Sequence, residues 1–377
     1  MSAFWIACFA SLAVAAARSW AARRVASIAS LKDSSGVSGP PVPRVDSPIY
    51  ARVPRYVRSF CAPNEGERPL SRQPLSGPFF SLRIVTRRYR FVWLDVFSKT
   101  PLEGNQLAVF PDARGLSDDE MQAIARETHL SETTFVFPED EKLDRERGFR
   151  TRIFAVFGEM PFAGHPTLGT AAVLSERTGL SEVALRLQVG RIPVRFTERE
   201  GGRFGEMTQA EPVVGTTHDP KSVASALGTS VHELDLTAPI QTISTGVPFA
   251  IVPFRSLESV SGLRPSWKSM EEYLMTTDAK FFYLLCRETV DPSAAVHARM
   301  VFSGGDDPAT GSAAGPAVAW MVLHGWHDPG RTVQLEQGTE VHRSSHLYCT
   351  ADLHEGRPTN VRVGGFSVPV IEGELEL

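Results

Sequence analysis

The chain has 377 residues, 42% of them hydrophobic and 22% charged, a composition suited to a globular protein with room for two domains. A formal net charge of −4 provides no footprint for a polyanion and excludes nucleic acid as the expected partner. The four cysteines, Cys8, Cys61, Cys286 and Cys349, follow no metal or redox spacing, which argues against a disulfide framework and for a reducing compartment.

Residues 1–88 differ from the rest. Ala3 to Ala17 is apolar but too short to span a bilayer. Ala15-Ala16-Ala17 would suit signal cleavage, yet no basic segment precedes the apolar run. Arg18, Arg23, Arg24 and Lys32, with no acid before Asp33, have the composition of an organelle transit peptide. Gly39-Pro40-Pro41-Val42-Pro43 and scattered arginines through Arg72 then read as an unstructured linker. Untranslated or disordered leader, transit peptide and secretory signal all stand open. The cytoplasm is the expected location of the folded part, with organelle targeting by the extension as the alternative.

From Phe91 the chain becomes regular. Phe91 to Phe97 and Leu107 to Phe110 have strand composition, with a turn at Gly104-Asn105. Ser117-Asp118-Asp119-Glu120 is a capping box, and Met121, Ile124, Ala125 and Thr128 give the following helix a core-facing stripe. Thr133 to Phe137 returns as a strand, which puts Glu132 at a helix-to-strand junction. Arg150 to Phe157 alternates as another strand. His165 then leads a helix that closes at Thr178-Gly179, and Leu185 to Phe196 is rich in strand residues. Polar residues and proline around Thr216 to Lys221 mark the expected domain boundary, and Ser222 to Gly228 reads as a short helix. Strands are expected at Ile240 to Phe254, Phe281 to Cys286 and Ala298 to Phe302. After Ser312 opens a helix that is apolar on every face, short strands follow at Thr332 to Leu335, His346 to Thr350, Asn360 to Val363 and Val368 to Ile371. A helix without a polar face belongs inside a core.

The two glycine-rich helix starts match each other. His165-Pro166-Thr167-Leu168-Gly169-Thr170 aligns with Asp307-Pro308-Ala309-Thr310-Gly311-Ser312, and Gly104 to Val109 aligns with Gly246 to Ile251 at the same separation. Two anchors in one register point to a duplicated unit. The expected architecture is α+β: two pseudo-symmetric barrel-like halves, residues 89–215 and 216–377, each around a buried helix, with the last strand free to return to the first half. A cleft between them would hold His165 and Asp307 on equivalent walls, with two helix N-termini aimed at it. Free N–H groups and the positive end of the dipole make such termini seats for a carboxylate. A buried carboxyl there, such as Glu132, has a raised pKa and can take and return a proton.

Simpler roles exist for each residue: a solvated charge for Glu132, a structural histidine before proline for His165, a turn former for Asp307, a helix cap for Ser312. Gly311-Ser312-Ala313-Ala314 lacks the nucleophile elbow of a serine hydrolase, although a Ser312 hydrolase stays as a third reading. The pairs His324/His327 and His342/His346 have metal-like spacing without acidic or thiol companions in a motif, so no metal is expected. No dinucleotide fingerprint is present in the sequence.

From Phe91 onward the chain resembles the phenazine-biosynthesis PhzF-like family, which shares the diaminopimelate epimerase fold. The resemblance rests on Asp95-Val96-Phe97, Gly104 to Val109, Leu130-Ser131-Glu132-Thr133-Thr134-Phe135, Pro161 to Gly169, Ser244-Thr245-Gly246, Asp307 to Ala313 and Gln337-Gly338. It implies a homodimeric, cofactor-free isomerase acting on a small unsaturated carboxylic acid. By resemblance, Glu132 shuttles the proton, His165 and Asp307 bind and polarise substrate, and Gly164, Gly311 and Ser312 hold its carboxylate. The two thiols of related racemases are missing from the matching places. Val156-Phe157-Gly158 and Val341-His342-Arg343-Ser344 depart from the family pattern, and Pro316 falls early in the second buried helix. A non-catalytic small-acid binding or scaffold protein of the same fold is the alternative, and the folded part is expected to need no membrane.

Overall fold

The computed structural model describes residues 86–377. The leader expected through residue 88, with Cys8 and Cys61, lies outside them except for its last three residues. Strand β1 (Arg88–Val96) turns through Leu102 and Gly104, both at positive φ, into antiparallel β2 (Asn105–Phe110). Helix Asp118–Thr128 starts at the reciprocal Ser117–Glu120 cap, buries Met121, Ile124 and Ala125, and stops at a left-handed His129. Strand β3 (Glu132–Phe137) runs parallel to β2. Helix Glu141–Arg147, capped by Asp140, is a feature that periodicity did not reveal, since only Asp144 in it is buried and it has no apolar stripe. Then come β4 (Phe149–Ala155), β5 (Gly158–Met160), the buried helix Gly164–Thr178, β6 (Glu182–Leu187), β7 (Gly190–Arg199) and β8 (Gly202–Thr208).

The later part contains β9 (Val213–Thr217), helix Pro220–Leu227, β10 (Gln241–Ser244) and β11 (Pro248–Phe254). The single strand expected over Ile240 to Phe254 is therefore broken, at Gly246, whose φ of 137° belongs to glycine. Helices Leu257–Gly262 and Trp267–Leu274, capped by Ser256 and Ser266, were not anticipated. After β12 (Phe281–Cys286) and β13 (Val296–Arg299), a small hairpin of β14 (Val301–Phe302) and β15 (Gly305–Asp306) leads to the second buried helix, Gly311–Leu323. The expected strand Ala298 to Phe302 is thus two strands in different sheets. The chain closes with β16 (Val333–Gln337), β17 (Ser345–His354) and β18 (Arg357–Glu376). The two short strands expected at Asn360 and Val368 are one strand of 20 residues.

The large sheet has 16 strands and follows the path β1-β2-β3-β4-β6-β7-β8-β18-β17-β16-β13-β12-β11-β10-β9, with β5 beside β4. Because β18 pairs with both β8 and β1, the strands from β1 to β8 close into a ring. Helix Gly164–Thr178 packs against β1, β2, β6, β7, β8 and β18 of that ring. Helix Gly311–Leu323 packs against β10, β11, β17 and β18 of the remaining arc. Leu168, Ala171 and Leu174 of one helix share a continuous core with Ala313, Ala317, Trp320 and Met321 of the other. The mixed α+β class and the burial of both helices agree with the sequence pattern. No helix among the described residues is long and apolar enough to cross a membrane.

Candidate active site

The two buried helices meet at their N-termini. A Cβ placed on Gly164 would lie 2.9 Å from the Ser312 backbone nitrogen and 3.1 Å from the Gly311 carbonyl carbon, so the two backbones are in contact. A helix leaves its first N–H groups without intrahelical partners, and both sets are concentrated here. The expected equivalence of the two starts does not hold. His165 stands inside its helix, whose N-cap is Ala163, whereas Asp307 lies ahead of its helix, directly after β15. Ser312 is not the cap either. Thr310 occupies that position; its side chain makes no capping bond, and its hydroxyl donates to Asp307 Oδ2 at 2.6 Å.

Glu132, first residue of β3, lies opposite Ala155 of β4 and is brought against the helix tip. Its Oε2 lies 3.5 Å from His165 Nε2, with the side chains 15% and 7% exposed. That spacing is too long for a hydrogen bond, and both atoms are buried without a hydrogen-bond partner. Burial pushes Glu132 up to about 8, and the nearby Asp307 charge adds to the effect. Burial also pushes His165 down to about 3, against an opposing hydrogen bond with the Gln106 backbone. His165 is therefore neutral near pH 7, and the pair is not an ion pair. Asp307 is pushed up to about 6 by burial, opposed by bonds from Thr310, Asn105 and the Ala309 backbone.

A clamp holds Asp307. Asn105 Nδ2 donates to Asp307 Oδ1 at 2.8 Å and to the Ala309 carbonyl at 2.9 Å. Gln337 Nε2 donates to the Asp307 carbonyl at 2.7 Å and to the Thr310 hydroxyl at 2.9 Å, while its Oε1 accepts from Thr310 N and the Tyr283 hydroxyl. Gln209 Nε2 donates to the Gly311 carbonyl at 2.8 Å, and its Oε1 accepts from Thr245. Asn105, Thr310, Gln337 and Thr245 all lie in motif segments, but no role for them was readable there. Gln209 carried no signal at all. The departing segment around Arg343 proves to be scaffold: Arg343 donates to Asp95, Glu103 and Gly104, bracing the turn that presents Asn105. The other departure, Val156-Phe157-Gly158, follows the residue paired with Glu132 and exposes 75% of Phe157. Open grooves lie elsewhere, one of about 390 Å³ beside Glu139, Asp144 and Phe149, another of about 440 Å³ beside Arg90, Arg114 and Arg177. Glu132, His165 and Asp307 are enclosed instead.

A carboxyl held above its free value favours folding only while protonated, so its contribution is complete below about pH 4.5 and is lost as pH rises through about 8. Every tenfold change in a group's proton affinity between the folded and unfolded chain corresponds to ~1.4 kcal/mol. Glu132→Gln is therefore expected to stabilise the fold at pH 9 relative to wild type by on the order of 2–5 kcal/mol, with little difference at pH 4. Denaturant midpoints at the two pH values check this, and equal midpoints at pH 9 would mean that Glu132 is solvated.

The family described as phenazine biosynthesis-like protein matches residues 94–373. An uncharacterized isomerase of Mesorhizobium japonicum is 36% identical over 305 residues, covering 77% of this chain and 99% of that protein. The trans-2,3-dihydro-3-hydroxyanthranilate isomerase of Pseudomonas aeruginosa is 32% identical, covering 77% of this chain and all of that protein (100%). A crystal structure of a PhzF-family phenazine biosynthesis protein from Bacillus anthracis superposes with a TM-score of 0.68 at 28% identity, over 77% of this chain and 99% of that one. The chain belongs to the phenazine biosynthesis-like family of isomerases.

Proposed function

We propose that the protein is a cofactor-independent isomerase that moves a proton and a double bond within a small unsaturated carboxylic acid. The observation that carries this reading is the Glu132 carboxyl, buried with an unpartnered oxygen beside His165, within the influence of the Asp307 charge, and pushed up to about 8. Glu132 takes a proton from a carbon beside the unsaturated system. The C–H electron pair spreads into that system, and the same carboxyl returns the proton further along, so one C–H bond breaks, one forms and nothing is oxidised. A group with a pKa close to the working pH does both halves well. His165, neutral, and the Asp307 carboxylate polarise the substrate, and the N–H groups at Gly164, Gly311 and Ser312 seat its carboxylate. The closed approach of the helix tips implies that they part to admit substrate.

The ring and the arc are, in this reading, two halves of a duplicated diaminopimelate epimerase-like unit, 89–215 and 216–377, with β18 returning to the first. The pairing of β18 with β1 and β8 supports that division. A homodimer belongs to the same reading, on family resemblance. The test is turnover in deuterated water of trans-2,3-dihydro-3-hydroxyanthranilate, the compound in the relative's name, beside a panel of unsaturated cyclic acids. Product carrying solvent deuterium at the newly protonated carbon is expected for at least one acid. Binding with every acid recovered unlabelled and unrearranged would favour a small-acid binding protein.

A further inference from the structure

Behind the Asp307 clamp lies a second buried cluster that the chemistry above does not use. His297 of β13 is fully enclosed, with Nδ1 2.8 Å from Glu336 Oε1 and Nε2 3.0 Å from Glu340 Oε1. Glu336 also accepts the Val290 and Asp291 backbone N–H groups at 2.7 Å each, and Glu340 accepts the Ser261 hydroxyl at 3.2 Å. A neutral imidazole has one N–H and would turn a lone pair towards the second carboxylate. Two carboxylate acceptors on two ring nitrogens call for the imidazolium. Further out, Arg299 on the same strand binds Asp306 at 2.6 Å together with the Val260 and Leu263 carbonyls. The Asp291 side chain turns away to Ser293 and His346, and Cys286, opposite His297 on β12, has its thiol pushed up by burial.

Both carboxylates belong to the segment that grips Asp307. Glu336 precedes Gln337, the residue bound to the Asp307 carbonyl and to Thr310. Glu340 lies in the 3-10 turn Thr339–Val341, directly after Gly338. Gly338, at φ 85°, is seated so close that a Cβ there would come within 2.5 Å of the Pro308 carbonyl oxygen. We propose that His297 is a positioning residue: its imidazolium braces residues 336–340 from behind and so fixes the Thr310 and Asp307 side chains at the helix tip. Its bearing on catalysis rests on the isomerase reading, whereas the brace itself does not.

Burial alone would push His297 down, but the two carboxylates outweigh it and hold the ring up at about 9. A raised histidine contributes fully below its free value, near 6.5, and the contribution is lost as pH rises through about 9. The brace therefore loosens at alkaline pH. The test follows the Thr310 amide, bound to Gln337 Oε1, by NMR hydrogen exchange from pH 7 to 10, alongside the His297 ring resonances. In wild type the Thr310 protection factor is expected to drop at least ~10-fold in step with ring titration, while amides of the β1–β2 ladder stay protected. Glu340→Gln removes one carboxylate, so protection at pH 7 should persist while the step and the ring titration both move down by about one pH unit or more. His297→Gln should lose protection at every pH, without a step. A ring titrating near 6.5, a Thr310 amide with no step, or a step unmoved in Glu340→Gln overturns the brace, and the last two read out even where His297→Gln does not fold. A Thr310 step in a protein that isomerises nothing supports the brace and counts only against the isomerase reading.

Discussion

Glu132→Gln is expected to lower kcat by ~10²–10⁴ with the fold intact, the range by which a positioned acid/base group accelerates proton transfer. The glutamine keeps the size of the side chain and its place opposite Ala155 but cannot take up the proton. The competing outcome is a binding role, in which the variant would hold substrate less well without a fall in kcat. The two separate cleanly, because loss of uniform binding raises KM and spares kcat. Turnover at the wild-type rate in the glutamine variant would remove Glu132 from the mechanism. Greater stability of the same variant at alkaline pH would identify the carboxyl as one that the fold tolerates for its chemistry, since a buried group without a partner destabilises the structure that holds it.

The second large effect is expected at the contact between helix tips. In a helix alanine is favoured over glycine by ~1 kcal/mol, so propensity alone predicts that Gly164→Ala stabilises the protein. The added carbon would, however, lie 2.9 Å from Ser312 N and 3.1 Å from Gly311 C, atoms of a backbone that cannot rotate aside. Overpacking of this kind costs ~1–3 kcal/mol, and the clash should win. The helix starts must move apart, carrying His165 and the Gly311–Ser312 amides with them. A displacement approaching 1 Å costs on the order of 10² in rate, so kcat/KM should fall by about that factor. Gly158→Ala is the control, because nothing lies within 4 Å of a Cβ there and no comparable loss is expected. A more stable, fully active Gly164→Ala protein would show that the tips do not touch in solution.

What could be read from the residues and what could not divides by range along the chain. The buried helices were legible because Ala317 to Leu323 offers no polar face, and the Ser117–Glu120 cap because it is local. Glu132, His165 and Asp307 were legible as motif residues at element ends, and the fold brings Glu132 and His165 together with Asp307 beside them. The clamp was not legible, since Asn105 reaches Asp307 across 202 positions and Arg343 reaches Asp95 across 248. No local pattern records such pairs. Nor does periodicity detect helix Glu141–Arg147, which buries a lone Asp144, or the continuity of β18 through Gly364, Gly365 and Pro369. The apparent match of His165 with Asp307 was a match of letters, because one residue lies within its helix and the other ahead of it.

Strand β18 has a consequence for biogenesis. Among the described strands it is the last in chain order, yet it zips β1 to β8 and so completes the ring formed by the first of them. Until it is made, the facing margins of β1 and β8 are open to other partners, the condition under which nascent chains swap strands or aggregate. The contacts that join its end to Arg88 and Tyr89 span nearly the whole described chain, and closing so long a loop is slow. Emergence of β18, rather than of the first half, is thus the moment at which the helix carrying His165 becomes fully sealed.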